Sequence, residues 1–332
     1  MALLPKNSIM FSHTDLDGIG GGIIFKATLG SLSEVHYCNY DEVDEKIIKR
    51  LDELEKKAEK PFILIADLGI KPETAERLDR YTGEKRWLDH HRTNIELASK
   101  YDWATVDTEA CGTLLVFNEF DNIPRKYLDF VLHVDDYDRW IHALPKSNDL
   151  NRLLSIYGID RFEERFVFDE RMEFNHTEVL LLELEDENIE RYIERVEKGM
   201  IVRHLIGDKF FGIGFAEKYK SEVAHELMER KNLEAIVLID VNTRSLSLRS
   251  RGEINVGEIA KRLGGGGHKN AAGVSFKYGF IEDFKTLKYP LFGLHTEMNN
   301  VLYEISCKIQ NTYEQIENEE ISKLFKGQEN EN

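Results

Sequence analysis

Short apolar runs alternate with charged, helix-periodic stretches from residue 8 to about residue 140. "SIMFSH" reads as a buried strand ending in a loop, followed by strands at "EVHYCNY", "PFILIADLG" and "EKRWLDHH". Between them, "GIGGGIIFKATLG", "DEKIIKRLDELEKKAE" and "ETAERLDRYTG" read as helices, the first with a small-residue start. Strands alternating with helices pair in parallel through right-handed crossovers. The pattern therefore predicts an α/β fold with an N-terminal parallel sheet. In such sheets ligands bind beyond the carboxyl ends of the strands.

Further along, Leu182, Ile189, Ile193 and Val196 hold helical spacing within residues 176–200, which predicts a connecting helix. A second, smaller α/β domain follows, with strands at "FFGIGFA", "EAIVLIDV" and "SLSLRSRG" and a helix at "EVAHELMERK". The expected organisation is a first domain over 1–180, a connector over 181–200, a second domain over 201–310 and a charged tail over 311–332 that frays at its end.

Composition narrows the class. A chain of 332 residues is long enough for two domains, and 42% hydrophobic content supports packed cores over disorder. No apolar run approaches the roughly 18 residues of a membrane span, and "MALLPKNSIMF" does not read as a signal peptide. Cys38, Cys111 and Cys307 are isolated, fitting neither a disulfide framework nor a zinc cluster. The expectation is a soluble, cytoplasmic protein. A net charge of −17 argues against coating long duplex nucleic acid, whose affinity comes from phosphate neutralisation. Residues 201–290 nevertheless carry 15 Lys and Arg against 11 Asp and Glu, a local excess suited to a short anionic ligand.

The candidate chemistry sits at the ends of apolar runs. In "SHTDLDG", His13, Asp15 and Asp17 alternate, and in an extended segment they would point to one side. Asp67 directly follows "FILIA", where a carboxylate is costly unless paired or bound to a cation. "WLDHH" supplies Asp89, His90 and His91, and "VDDYDRW" supplies Asp135, Asp136 and Asp138. Taken singly, each acid reads as a helix N-cap. Taken together over one sheet edge, so many acids would repel and hold protons unless divalent cations neutralised them. Asp and His donors without thiolate suit Mn²⁺ best, with Mg²⁺ the alternative. Two such ions about 3.5–4 Å apart would clamp a phosphoryl group and acidify a bridging water, which points to hydrolysis of a phosphate ester or anhydride. In the second domain, "LGGGGHKNAAG" offers backbone donors, with His268 and Lys269, for an anion, and "SLRSRG" adds Arg249 and Arg251 on one strand face.

With "SHTDLDG", "ADLG", "DHH", "DDYDRW" and "GGGGHKNAAG" together, the chain resembles the DHH phosphoesterases that carry a glycine-rich DHH-associated domain, over roughly residues 8–277. Within them it is similar to the nano-RNase and oligoribonuclease branch, and to the nano-RNase B group in particular. The resemblance implies that His13 and Asp15 bind one metal, that Asp17, His90 and Asp136 bind the other, and that Asp67 bridges both. It makes Asp89 the group that orients an imidazole and His91 the one that faces the substrate phosphate. Asp136 is favoured over Asp135 for the fourth motif. Arg249, Gly265, Gly266, Gly267 and His268 would hold the rest of the nucleotide. The activity implied is metal-dependent hydrolysis of very short oligoribonucleotides to mononucleotides. The alternatives are a phosphatase for 3′-phosphoadenosine 5′-phosphate, a phosphodiesterase for cyclic or linear dinucleotides, and a nucleotide-binding regulator. Partners would be short RNAs or nucleotides, with a homodimer admitted and no role for membranes.

Overall fold

The apolar runs fold into strands that all point the same way. The structure, a computed structural model, describes residues 2–30, 33–205, 209–275 and 294–329. Two units divide between Leu184 and Glu185, inside the stretch expected as the connecting helix. In the first unit the order is β1 (Ser8–Ser12), α1 (Leu16–Leu29), β2 (Ser33–Tyr37), α2 (Val43–Lys57), β3 (Phe62–Ala66), α3 (Pro72–Asp79), β4 (Lys85–Asp89), α4 (Ile95–Ala98) and β5 (Ala104–Val106). Helices α5 (Gly112–Glu119), α6 (Leu128–Asp138), α7 (Ser147–Phe168) and α8 (His176–Gly199) follow.

The strands form one sheet in the order β2-β1-β3-β4-β5, every neighbouring pair parallel. Each residue of β1 and β3 is buried, as befits strands covered on both faces. Alternation sorts the two layers. Met10, Leu64 and Leu88 face a core shared with α1, α5, α6 and α7, whereas Ile9, Phe11, Ile63, Ile65 and Trp87 face α2 and α3. The connections from β1 and β3 therefore leave on opposite faces, so the carboxyl ends of these adjacent strands flank a topological switch point. A buried charge fixes α1 to the sheet: Glu163 of α7 accepts from Lys26 Nζ at 2.6 Å and from the Tyr37 hydroxyl at 2.5 Å. The Tyr37 hydroxyl also occupies the space above Gly22, where a Cβ would meet it at 2.0 Å.

Helix α8 begins with a reciprocal cap. Asn175 Oδ1 accepts from the Glu178 backbone at 3.0 Å, and Glu178 Oε2 accepts from the Asn175 backbone at 2.8 Å. All four apolar positions that predicted this helix are buried.

The second unit contains β6 (Ile201–His204), β7 (Phe210–Phe215), α9 (Lys220–Lys231), β8 (Ala235–Asp240), β9 (Ser245–Ser250), α10 (Val256–Arg262), β10 (Gly266–Gly267), β11 (Ala271–Ser275) and α11 (Leu294–Glu329). Its mixed sheet runs β10-β11-β9-β8-β7-β6, parallel only between β7 and β8. One face packs on α9 and the end of α8, the other on α10 and α11. The stretch expected as a charged tail over 311–332 is part of a helix up to Glu329, and its end, where fraying was expected, lies outside the described residues. Tyr313 and Ile316 are buried with Ile309, one apolar stripe at helical spacing under a charged exterior. Among the described residues no helix is long and apolar enough to cross a membrane, and all three cysteines are free.

A buried ion pair secures the second sheet. Asp240 ends β8, its Oδ2 2.7 Å from Lys220 Nζ and its Oδ1 accepting from the backbone of Asn242 at 3.0 Å and Thr243 at 3.1 Å. Burial works against the charge, but Lys220 and the Thr243 N–H outweigh it and hold the carboxyl at about 2. Because this value lies below that of the unfolded chain, near 4, the stabilisation is complete above about pH 4 and is lost as pH falls towards 2. Asp240→Asn should therefore weaken hydrogen-exchange protection of β8 and β9 by about 2 kcal/mol at neutral pH. The gap to the unsubstituted protein should close as pH drops from 4 to 2.

Candidate active site

Three parallel strands deliver chemistry at their carboxyl ends. β1 stops at Ser12, so His13 opens the turn into α1. The extended alternation anticipated for His13, Asp15 and Asp17 is not what brings them together. Asp15 is the N-cap of α1, accepting from Gly18 N–H at 3.0 Å, and Asp17 lies in the first helical turn. The tight turn depends on Gly18, where a Cβ would sit 2.3 Å from the His13 carbonyl oxygen. His13 Nδ1 stands 2.8 Å from Asp15 Oδ2 and 4.0 Å from Asp67 Oδ2.

Asp67 follows β3 with a left-handed backbone, φ +54°, and is 2% exposed. Aspartate is among the few side chains that tolerate this region. Its Oδ1 lies 3.2 Å from His90 Nε2, and Asp17 Oδ2 lies 3.7 Å from the same nitrogen. β4 ends at the buried Asp89. Its Oδ1 accepts from His91 Nδ1 at 2.7 Å and from His90 N–H at 2.8 Å, while Oδ2 accepts from Asn94 Nδ2 at 2.5 Å. A carboxylate only accepts, so the His91 proton resides on Nδ1 and leaves Nε2 as the outward atom.

The fourth contribution comes from the end of helix α6, not from a strand. His90 Nδ1 is 3.6 Å from Asp138 Oδ2. Asp136, expected as a ligand, is turned away. Its carboxylate accepts from Ala143 N–H at 2.8 Å, Leu144 N–H at 3.2 Å and Ser147 Oγ at 2.6 Å, joining α6 to the start of α7. Asp135 accepts from Cys111 N–H at 2.8 Å and pairs with Arg139 at 3.4 Å. Residues two apart on a helix point about 200° away from each other, so Asp136 and Asp138 cannot both face the cluster.

A fifth contribution comes from the first turn of α5, which carries no ligand-type side chain for a sequence motif to show. The first amides of α5, Gly112 and Thr113, donate to Asp17 at 2.6 and 2.7 Å. A Cβ on Gly112 would lie 2.6 Å from Asp67 Cβ and 3.0 Å from Asp17 Oδ2. The available signal was a small residue opening an apolar helix in "ACGTLLVF".

Burial, followed by repulsion from Asp17, Asp15, Asp138 and Asp89, pushes the Asp67 carboxyl well above the ordinary range. Burial, with Asp17 and Asp15, pushes Asp138 up to about 8. Burial also opposes ionisation of Asp15 and Asp89. There His13 and the Gly18 amide prevail for the first, and His91 and Asn94 for the second, so both fall below the usual value. Burial lowers His90, whereas at His91 its effect is exceeded by Asp89, which raises the imidazole.

Buried His13 Nδ1, Asp67 Oδ2 and Asp138 Oδ2 have no hydrogen-bond partner; the short His13–Asp15 approach lacks hydrogen-bond geometry. Donor atoms of His13, Asp15 and Asp67, of Asp67, His90 and His91, and of Asp17, His90 and Asp138 each lie within 4.8 Å of one another. Oxygen and imidazole donors left unsatisfied in this way fit a divalent cation such as Mn²⁺ or Mg²⁺.

In the second unit the glycines divide into two kinds. Gly265 and Gly267 are steric requirements: a Cβ would meet Gly273 O at 2.1 Å and Ala272 Cα at 2.5 Å, and Gly267 has φ +141°. Gly266 has open space above it, and His268 is exposed. Arg249 is half-buried with its Nη1 donating to Leu248 O at 3.0 Å; burial lowers its pKa and no acid raises it. Arg251, by contrast, is held by Met228 O at 2.7 Å and Glu229 at 2.9 Å.

The DHHA1 domain matches residues 203–287. The chain is 32% identical over 290 residues to Oligoribonuclease NrnB of Bacillus subtilis (strain 168), covering 80% of this chain and 72% of the relative. It is 24% identical over 330 residues to a 3′,5′-cyclic-nucleotide phosphodiesterase of Helicobacter pylori, covering 82% and 93%. RecJ of Thermus thermophilus, solved in complex with Mn²⁺, shares the fold with a TM-score of 0.51 at 16% identity, over 88% of this chain and 52% of RecJ. Fold, cluster and kinship define a hydrolase of phosphate esters. The chain belongs to the DHH phosphoesterases, in their nano-RNase branch.

The two neighbouring acids of α6 should separate in thermal unfolding with and without Mn²⁺ or Mg²⁺. Asp138→Asn should leave the metal-free midpoint unchanged or raised, because repulsion is relieved, and should lose most of the metal-induced increase. Asp136→Asn should cost about 1–3 kcal/mol with or without metal and should keep the increase. The reverse result would return the fourth motif to Asp136.

Proposed function

We propose that this protein hydrolyses very short oligoribonucleotides to mononucleotides, using divalent cations held by His13, Asp15, Asp17, Asp67, His90 and Asp138. The observation that carries the reading is the convergence of Asp and His donor atoms at the carboxyl edge of the parallel sheet, where His13 Nδ1, Asp67 Oδ2 and Asp138 Oδ2 are left without a hydrogen-bond partner. Asp67 and His90 each belong to two of the three donor groups, and of the two only the Asp67 carboxylate, with two oxygens, would serve two ions at once. When bound, such cations polarise a phosphoryl oxygen and acidify coordinated water, and Mn²⁺ or Mg²⁺ suits the donors. Asp17 is held for this task by the amides of α5, and Asp67 by its left-handed turn.

His91 faces the scissile phosphate. With Nδ1–H committed to Asp89, only the imidazolium form of His91 carries a proton on Nε2, and in that form Nε2–H donates to a phosphate oxygen or passes its proton to the leaving alkoxide, leaving the neutral ring. Asp89 acts through that bond and fixes the ring. In the second unit, Arg249 and His268 are assigned to substrate binding. A half-buried guanidinium without an acid beside it suits a second phosphate group. Gly266 leaves open space at this wall, whereas Gly265 and Gly267 serve by shaping it. Kinship with an oligoribonuclease supports short RNA as the substrate, and the net charge of −17 suits short substrates over long duplexes.

The reading is tested with 5′-labelled RNAs from dinucleotide to heptanucleotide, 3′-phosphoadenosine 5′-phosphate, cyclic and linear dinucleotides and a long duplex. Short RNA should be consumed with Mn²⁺ and spared after chelation, and the duplex should resist. Asp67→Asn should lower kcat by about a thousandfold or more, while Arg249→Ala should raise KM about tenfold with little change in kcat. Turnover that survives complete chelation would end the metal reading. Faster hydrolysis of a cyclic dinucleotide or of 3′-phosphoadenosine 5′-phosphate would replace the substrate.

A further inference from the structure

One side chain that is neither an acid nor an imidazole reaches into the cluster. Tyr40 lies in the turn after β2, and that turn is tied down on both sides. Cys38 N–H donates to Ser12 O at 2.8 Å, Thr14 Oγ1 to Asn39 Oδ1 at 3.0 Å, and Asn39 N–H to Glu42 Oε1 at 2.9 Å. At 49% exposure Tyr40 could keep its hydroxyl in water without cost. The hydroxyl is instead directed inward, 3.1 Å from His91 Nε2. The ring leans on His13, with centroids 4.6 Å apart, and stands edge-on to His91 at 5.9 Å.

This contact completes a chain. Asp89 holds His91 at Nδ1, and Tyr40 holds the same ring at Nε2. One anchor leaves the imidazole free to swing about the Nδ1 contact; two anchors at opposite ring nitrogens define its plane. A hydroxyl suits the second position because it can donate to a neutral ring and accept from a protonated one. The bond also lies on the solvent-open side of the site, where an incoming phosphate oxygen can replace the hydroxyl as the acceptor of an Nε2–H.

We propose that Tyr40 is a positioning residue that holds the His91 ring in the plane from which Nε2 meets the substrate phosphate, and releases that nitrogen when a phosphate oxygen takes its place. The inference rests on the reading of His91 as the phosphate-facing histidine. Tyr40 itself binds no metal in this account, so its loss should leave the metal requirement intact.

The test combines kinetics on a labelled short RNA with ¹⁵N spectra of the histidine rings in the Mg²⁺-loaded full-length protein. Tyr40→Phe should lower kcat about tenfold with KM changed less than about threefold. Its His91 Nε2 resonance should move. In a His91→Ala background, Tyr40→Phe should have no further effect, since both changes remove one interaction. Additive losses, an unchanged kcat in Tyr40→Phe, or an unmoved Nε2 resonance would each overturn the proposal. Full activity of His91→Ala would remove the reading of His91 and this inference with it. An inactive His91→Ala beside a fully active Tyr40→Phe would remove the inference alone. If the wild-type protein leaves every RNA intact, the substrate reading fails and the Nε2 resonance still decides for or against Tyr40.

Discussion

Mutual repulsion among Asp15, Asp17, Asp67 and Asp138 is the constraint around which the first unit is built. The approach of these acids raises the cost of ionising Asp67 and Asp138 despite the imidazoles among them. They are placed by backbone and burial. An N-cap fixes Asp15, helix amides fix Asp17, a left-handed turn fixes Asp67 and a helix end fixes Asp138. Behind these supports, two apolar layers enclose a five-stranded sheet and supply the stability that the crowded edge withdraws.

Five acids of the same motifs fall into two populations, with Asp15 and Asp17 between them, each accepting backbone amides while facing the cluster. Asp89, Asp135 and Asp136 are surrounded by donors, and their charge is used to tie segments together. Asp67 and Asp138 each retain a buried oxygen with no partner. Residue type does not separate the groups. The difference lies in whether the local backbone supplies hydrogen bonds, and an unsatisfied oxygen is where chemistry can enter.

Much of this was legible in the chain. The four strands at 8–12, 33–37, 62–66 and 85–89 show in the pattern of the chain, and an acid following "FILIA" stands out against the cost of burying it. Other features left weaker signals. β5 has three residues, too few for a pattern to register. Motif spacing favours Asp136 over Asp135 and does not single out Asp138, which a helical reading of "YLDFVLHVDDYD" places on a different face from Asp136. The stripe of Ile309, Tyr313 and Ile316 was hidden among acids and lysines that coat the exposed side of α11. The role of the α5 amides could not be read from side chains, because the donors are backbone groups.

Gly112 shows how far such a site depends on a residue without chemistry of its own. The space above its Cα is filled by Asp67 and Asp17, so even a methyl group there would force two acids apart. A descendant of this gene with alanine at 112 would keep every motif letter while its acid cluster was sprung open. Surveys that infer competence from the motif letters alone would count such a sequence as a working enzyme, and the vacant position beside the acids is the one they should inspect first.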